Sequence, residues 1–155
     1  MAAYSRDAYD DDGQQDRRPY EEVPAQPDVL PEGEVYDWFM RGVSLLEGGN
    51  ASAAVVLLTH AAQAEPKSRS VREALARAQF DSGMYDDATE SFAWIVGENP
   101  ADDYAQFGYG LAAAKIGDLE AAVEHLALAA AMRPDINHYS IALRGARAAL
   151  AAHKR

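Results

Sequence analysis

Small and apolar positions recur along most of the chain at helical spacing, and the pattern itself repeats every 34 residues. Positions that are 34 residues apart form a column, and three columns hold the same residue in all three repeats. They are Pro66, Pro100 and Pro134; Gly49, Gly83 and Gly117; and Ala54, Ala88 and Ala122. Between these marks each repeat has two windows of about 12 to 15 residues with helix-like composition. The sequence therefore predicts an all-α fold made of three helical hairpins.

The glycine and proline columns mark where helices end. A glycine just past the first helix of each hairpin adopts the left-handed conformation that ends it, and Asn50 or Asp118 can then cap the second helix. Each proline disfavours helical geometry in the residue before it and so closes the second helix. Ser68, Asp102 or Asp135 can cap the next first helix. These signals predict turns at both ends of every helix pair.

Two further sets of columns predict how the helices pack. The small residues Gly42, Ala76 and Gly110 keep the first helix of each pair thin, as the alanine column does for the second helix. Larger side chains on the second helix supply the packing stripe: Leu58, Phe92 and Leu126, followed one turn later by Ala61, Ile95 and Ala129. Trp94 lies one residue short of this stripe, and we expect it to be partly buried at the hairpin edge, with a second contact surface as the alternative.

This arrangement resembles the tetratricopeptide repeat (TPR) family in its period, its helix pairing and its small, large and proline columns. The first repeat fits best, with Trp38 in the family's large-residue column, whereas Arg72 and Gln106 take that column later. The resemblance implies a TPR-type α-solenoid in a domain of residues 34–155. Its expected parts are repeats at about 35–68, 69–102 and 103–136 and a capping helix at about 137–153. Residues 34–46 have no equivalent cap.

The resemblance also implies a concave groove lined by the first helix of each repeat. Its expected partner-binding residues are Tyr36, Phe39, Val43 and Leu46 from the first repeat, Ser70, Glu73, Arg77 and Phe80 from the second, and Tyr104, Phe107, Leu111 and Ala114 from the third. Because aromatic side chains opposite the packing stripe are not needed for stacking, we expect them to be exposed for binding. Ordinary packing against neighbouring helices is the alternative for each of them.

The expected ligand is a peptide or amphipathic helix of another protein. Some TPR domains clamp a terminal carboxylate with Lys and Asn in the first repeat, Asn in the second, and Lys and Arg in the third. This chain has Phe39, Val43, Arg77, Phe107 and Leu111 at these positions, so none of the five matches. An apolar segment with one acidic group near Arg77 fits these side chains better.

Charge is unevenly distributed along the 155 residues, whose net charge is -11. Residues 1–33 carry nine acidic and three basic side chains and few apolar ones, which predicts a disordered acidic tail. Residues 137–155 carry four basic side chains and no acidic one. The overall acidity argues against nucleic-acid and membrane-surface binding. The acidic start lacks the basic and apolar regions of a secretory signal, so we expect a cytoplasmic protein.

No pattern of catalytic or metal-binding residues is present. The chain has no cysteine, and its four histidines have no metal-ligand spacing. Gly108 and Gly110 mimic the start of a dinucleotide fingerprint but lie inside a helical pattern, which favours helix packing. We therefore expect no enzymatic activity, no cofactor and no metal.

The leading hypothesis is a protein-interaction adaptor or scaffold. Alternatives are a self-associating structural protein that pairs through its first repeat or groove, and a relative of the TPR-type chaperones of bacterial secretion systems. Under any of these, the acidic tail could fold onto the basic end helix or into the groove. The sequence does not identify the partner.

Overall fold

The computed structural model describes residues 32–155, which form seven helices and no strand. They are α1 (Glu32–Glu47), α2 (Ala51–Ala64), α3 (Arg69–Asp81), α4 (Tyr85–Glu98), α5 (Asp103–Lys115), α6 (Leu119–Met132) and α7 (Asn137–His153). The all-α prediction is confirmed, and α7 has the predicted bounds. Helix α1 begins inside the segment predicted as tail, and the rest of that segment, residues 1–31, lies outside the described residues.

The chain divides into two compact units after Met84. In the N-terminal unit, α2 packs against α1 and α3, and α1 also contacts α3. Leu58 and Ala61 on α2 are fully buried there, together with Ala54. Leu75 and Val71 bring α3 into the same cluster. The large and small positions predicted for this packing stripe are therefore core positions.

In the C-terminal unit, α5 packs against α4 and α6, and α7 packs against α6 and contacts α5. Phe92 and Ile95 on α4 are buried, as are Leu126 and Ala129 on α6. These are the predicted packing positions of the second helices. Tyr139 on α7 is also fully buried.

The three glycines of the turn column have the predicted left-handed backbone, with φ of +87° at Gly49, +85° at Gly83 and +89° at Gly117. In each turn the following residue donates its backbone N–H to a carbonyl five residues earlier, as in Asn50 to Leu45 (2.8 Å) and Asp118 to Ala113 (2.9 Å). This hydrogen bond closes the helix end around a residue that must tolerate positive φ, which explains the glycine.

Four of the five predicted caps form. Asn50, Ser68, Asp102 and Asp118 each accept a hydrogen bond from the backbone N–H three residues later. The cap predicted at Asp135 is wrong. Its carboxylate accepts hydrogen bonds from Arg133 at 2.8 and 3.0 Å instead, and α7 starts after Ile136, which has no capping side chain. The second helices end two residues before their prolines, as predicted.

The small column of the first helices allows close helix approach. A Cβ atom added to Gly42 would lie 2.6 Å from Cγ of Leu58, and one added to Gly110 would lie 2.6 Å from Cγ of Leu126. Both distances are too short for a side chain, so glycine is required where the large residue of the second helix packs. In α7 the same column holds Arg144, which is exposed.

Candidate protein-interaction surface

The first-helix face of the N-terminal unit, on which the partner-binding residues were predicted, is only partly exposed. Tyr36 is 52% exposed on α1, and Val43 is half-buried. Phe39 and Leu46 are buried, with 8% and 6% exposure. The prediction that Phe39 is exposed is therefore wrong. It packs in the buried cluster that also contains Leu58 of α2 and Leu75 of α3.

On α3 the same face carries two charged side chains one turn apart, Glu73 and Arg77, which are both half-buried. Phe80 is buried, against the prediction. Ser70 is also buried, and its hydroxyl has no hydrogen-bond partner in the described residues. Burial raises the pKa of Asp81, four residues after Arg77. This face thus combines an aromatic ring on α1 with opposite charges on α3.

In the C-terminal unit the predicted aromatic pair is part of the core. Tyr104 is fully buried and meets the edge of Phe92 at a centroid distance of 6.2 Å. Phe107 is 4% exposed and stacks on Tyr139, with centroids 4.6 Å apart. The alternative of ordinary packing applies to both rings. Leu111 and Ala114 are half-buried and remain accessible on α5.

Helix α7 extends this face with two residues that the sequence prediction omitted. His138 and Ile141 follow Tyr104 and Phe107 by 34 positions, so the column rule applied to α7 would have found them. Ile141 is 56% exposed, whereas the His138 ring meets the edge of Phe107 at 5.4 Å. Burial lowers the pKa of His138.

A second group of polar side chains connects α5 to α6. Gln106 donates from Nε2 to the carbonyl of Pro100 at 2.9 Å, and its Oε1 lies 2.7 Å from Nδ1 of His125. Because Oε1 accepts, His125 donates from Nδ1. The His125 ring stacks on Tyr109 at 3.9 Å, and burial lowers its pKa. This arrangement fixes α5 against α6 and is structural.

Two other predictions from the sequence, on the burial of Trp94 and the role of Gly108, agree with the structure. Trp94 is half-buried, as expected. Gly108 lies inside α5, where a Cβ would come within 2.4 Å of the Phe92 ring, so its role is helix packing as predicted. Within residues 32–155, no group of three histidine or acidic side chains is placed to hold a metal ion. None of the helices described is both long and apolar enough to span a bilayer.

A family model for the tetratricopeptide repeat matches residues 45–106. No protein of curated function matches the sequence. Solved structures match the fold, including the first TPR domain of Spaghetti (RPAP3) bound to the HSP90 peptide SRMEEVD. That domain is 19% identical, with 80% of this chain and 98% of that chain covered and a TM-score of 0.72.

Two more solved structures are similar at low identity. MamA (41 to the end) from Desulfovibrio magneticus RS-1 is 20% identical over 79% of this chain and 70% of its own, with a TM-score of 0.74. PcrH, in complex with the chaperone-binding region of PopB, is 16% identical over 77% of this chain and 96% of its own, with a TM-score of 0.62. The 34-residue columns, the order of the helices and the family match over residues 45–106 together identify tetratricopeptide repeats in this chain.

Proposed function

We propose that this protein is an adaptor that binds a segment of another protein on the first-helix face of its N-terminal unit. The observation that carries the proposal is Tyr36, a large aromatic side chain left 52% exposed on α1, with the half-buried Glu73 and Arg77 on the contacting helix α3. Exposed aromatic and arginine side chains are the residue types that dominate binding energy at protein interfaces.

The similar solved structures support a protein ligand. Two of them are complexes, one with an HSP90 peptide and one with a region of PopB. Our proposal for this chain differs in ligand chemistry, because Phe39, Val43, Arg77, Phe107 and Leu111 do not form a carboxylate clamp. We propose an apolar peptide or amphipathic helix with one acidic group for Arg77.

The residues proposed for the binding face fall into two groups. In the N-terminal unit, Tyr36, Val43, Glu73 and Arg77 are exposed or half-buried and would contact the ligand, and Leu111 is half-buried on the corresponding face of the C-terminal unit. The remaining predicted positions are buried and would hold the helices in place: Phe39, Leu46, Phe80, Tyr104 and Phe107.

The test uses a displayed library of random 16-residue peptides, selected on the full chain, with affinities of enriched peptides measured by calorimetry. We expect enriched sequences to combine apolar residues with an acidic one. Tyr36→Ala and Arg77→Ala should each weaken binding about tenfold, since hot-spot truncations cost about 1 to 2 kcal/mol or more. Val56→Ala is the matched control, because Val56 is 59% exposed but lies on the second helix α2.

Both variants must retain the helical circular dichroism of the parent. Peptides that lose affinity equally with Val56→Ala, or that bind Tyr36→Ala and Arg77→Ala as tightly as the parent, would contradict the proposed face.

A further inference from the structure

Helix α7 has one side against the protein core and one exposed side. Tyr139, Leu143 and Ala146 are buried. The opposite side, here termed the outer face of α7, has the spacing of one helical face. It consists of Ile141, Arg144, Gly145, Ala148, Ala151 and Ala152, all exposed.

The outer face has a strongly positive border. Arg144 and Arg147 are exposed, and Lys154 and Arg155 follow at the helix end. The last acidic residue before them is Asp135, which is engaged with Arg133. Across residues 32–155, neither Arg144 nor Arg147 has an acidic partner within ion-pairing distance. The face therefore presents uncompensated positive charge around a strip of small and apolar side chains.

The internal repeat indicates what kind of contact this face can make. In α1 and α5 the column of Arg144 holds Gly42 and Gly110, against which Leu58 and Leu126 pack directly. An arginine in that column prevents the same close approach of an apolar side chain. It favours an occupant that brings carboxylates to the arginine and a few apolar side chains to Ile141 and Ala148.

We propose that the acidic segment of residues 7–22 of this chain binds the outer face of α7. Of its 16 residues seven are acidic and two are arginine, so its net charge is -5 against +4 for residues 137–155. It also contains Tyr9 and Tyr20, which can contact the apolar strip. The segment lies outside the described residues and is joined to α1 through residues 23–31. The outer face shares Ile141 with the first-helix columns, but it contains none of the residues proposed above to contact the ligand, so this contact does not depend on the proposed function.

The absence of cysteine from the chain permits a direct test. A nitroxide attached to Ala8→Cys in the full chain should broaden the amide signals of Ile141 and Ala148 more than those of other exposed residues. Arg144→Glu together with Arg147→Glu should reduce this paramagnetic relaxation about fivefold, and so should raising the salt from about 50 to 500 mM, which shortens the Debye length from about 14 to 4 Å.

The control is Arg41→Glu with Lys67→Glu, two exposed positions in the N-terminal unit that give the same change in net charge. This variant should keep the relaxation at α7. Circular dichroism establishes that both variants remain helical. A mixed sample, in which spin label and isotope are on different chains, identifies whether the segment comes from the same chain or from a second copy, and either origin supports the contact.

Three results would overturn the proposal. One is relaxation spread evenly over the exposed residues, and another is relaxation at α7 that the two charge reversals leave unchanged. The third is relaxation between two α7 helices in a mixed sample labelled at Ala152→Cys, because the face would then be occupied by its own copy.

Discussion

Gly110 and Gly145 lie inside helices but differ in the space around them, so alanine substitution should have opposite effects on stability at the two positions. Gly110 on α5 leaves no room for a side chain, because a Cβ would lie 2.6 Å from Cγ of Leu126 and 3.1 Å from the carbonyl oxygen of Ala122. A Cβ added to Gly145 on α7 would have no neighbouring atom within 4 Å. Both lie inside helices, so alanine would improve helix propensity equally at each.

We expect Gly145→Ala to raise the free energy of unfolding by about 0.5 to 1 kcal/mol through helix propensity. Gly110→Ala should instead lower it by about 1 to 2 kcal/mol, since overpacking costs about 1 to 3 kcal/mol and outweighs the same gain. Urea denaturation followed by circular dichroism measures both. Equal effects of the two substitutions would show that α5 and α6 are not in close contact at Gly110.

The hydroxyl of Tyr139 joins α7 to α5 by a hydrogen bond. The buried Tyr139 donates to Oδ2 of Asp103 at 2.7 Å while its ring stacks on Phe107. Tyr139→Phe keeps the ring and removes the donor, so we expect a loss of about 1 to 2 kcal/mol in the free energy of unfolding. In a double-mutant cycle the loss should largely disappear when Asp103 is already alanine. Tyr109→Phe, a half-buried tyrosine on α5, is the control and should change stability little.

At the scale of the helix, capping side chains act at some boundaries and not at others. Asp102 accepts from the N–H of Ala105 at 3.0 Å and caps α5, whereas Asp135, one residue before the N-cap position of α7, binds Arg133 instead. Asp102→Ala should therefore destabilise the protein by about 1 kcal/mol. Asp135→Ala should cost less than about 0.5 kcal/mol, since it removes only an exposed ion pair. Denaturant titration of both variants checks this, and an equal loss would mean that Asp135 also caps α7.

The helix boundaries could be predicted from the sequence because they depend on local chemistry. Glycine at positive φ, an oxygen-bearing cap and a proline each act within a few residues, so the repeat predicted α2 to α7 closely. The wrong prediction of a cap at Asp135 also has a local cause, because the neighbouring Arg133 binds the carboxylate that would form the cap.

Local sequence signals could not predict how exposed the partner-binding residues are. The hairpin columns alone give Phe107 and Tyr104 no role in helix stacking, but side chains distant in sequence bury both rings. Phe107 packs on Tyr139, 32 positions later, and Tyr104 packs on Phe92 of another helix. The family resemblance predicts a set of positions on one helix face, but it carries no information on how much of each ring its neighbours cover.

At the scale of the whole molecule, two histidines of the C-terminal unit determine a pH dependence. Burial lowers the pKa of both His125 and His138 from about 6.5. The unfolded chain therefore takes up protons at a higher pH than the folded chain, and the free energy of unfolding falls as pH decreases through 6.5. We expect a decline between about pH 7.5 and 5.5.

This decline is measured by urea titration at several pH values. The variant carrying His125→Gln and His138→Gln should have a lower stability at pH 7.5, because ring contacts are lost, but a flatter pH profile. A profile as steep as that of the parent would assign the pH dependence to other groups.

Helix α1 differs from the other first helices in a way that bears on self-association. Helices α3, α5 and α7 each pack one side against the second helix that precedes them. Two columns on that side are buried. One column is Val71, Ala105 and Tyr139, and the other is Ala78, Ala112 and Ala146. In α1 these columns hold Asp37 and Ser44, both exposed. The N-terminal helix, which was expected to lack a cap, is thus polar on the side where another repeat would stack.

We therefore expect no end-to-end stacking of chains through α1 in sedimentation velocity experiments over a wide concentration range. Asp37→Leu with Ser44→Leu should create concentration-dependent association, because each buried leucine contributes about 1.5 to 3 kcal/mol. Glu47→Leu with Ser52→Leu makes the same change in charge and apolar area at exposed positions outside these columns and should not associate to the same degree. If the parent already associates and Asp37→Leu with Ser44→Leu leaves its sedimentation unchanged, α1 is not a polar end, and pairing through the first repeat becomes the better account of this molecule.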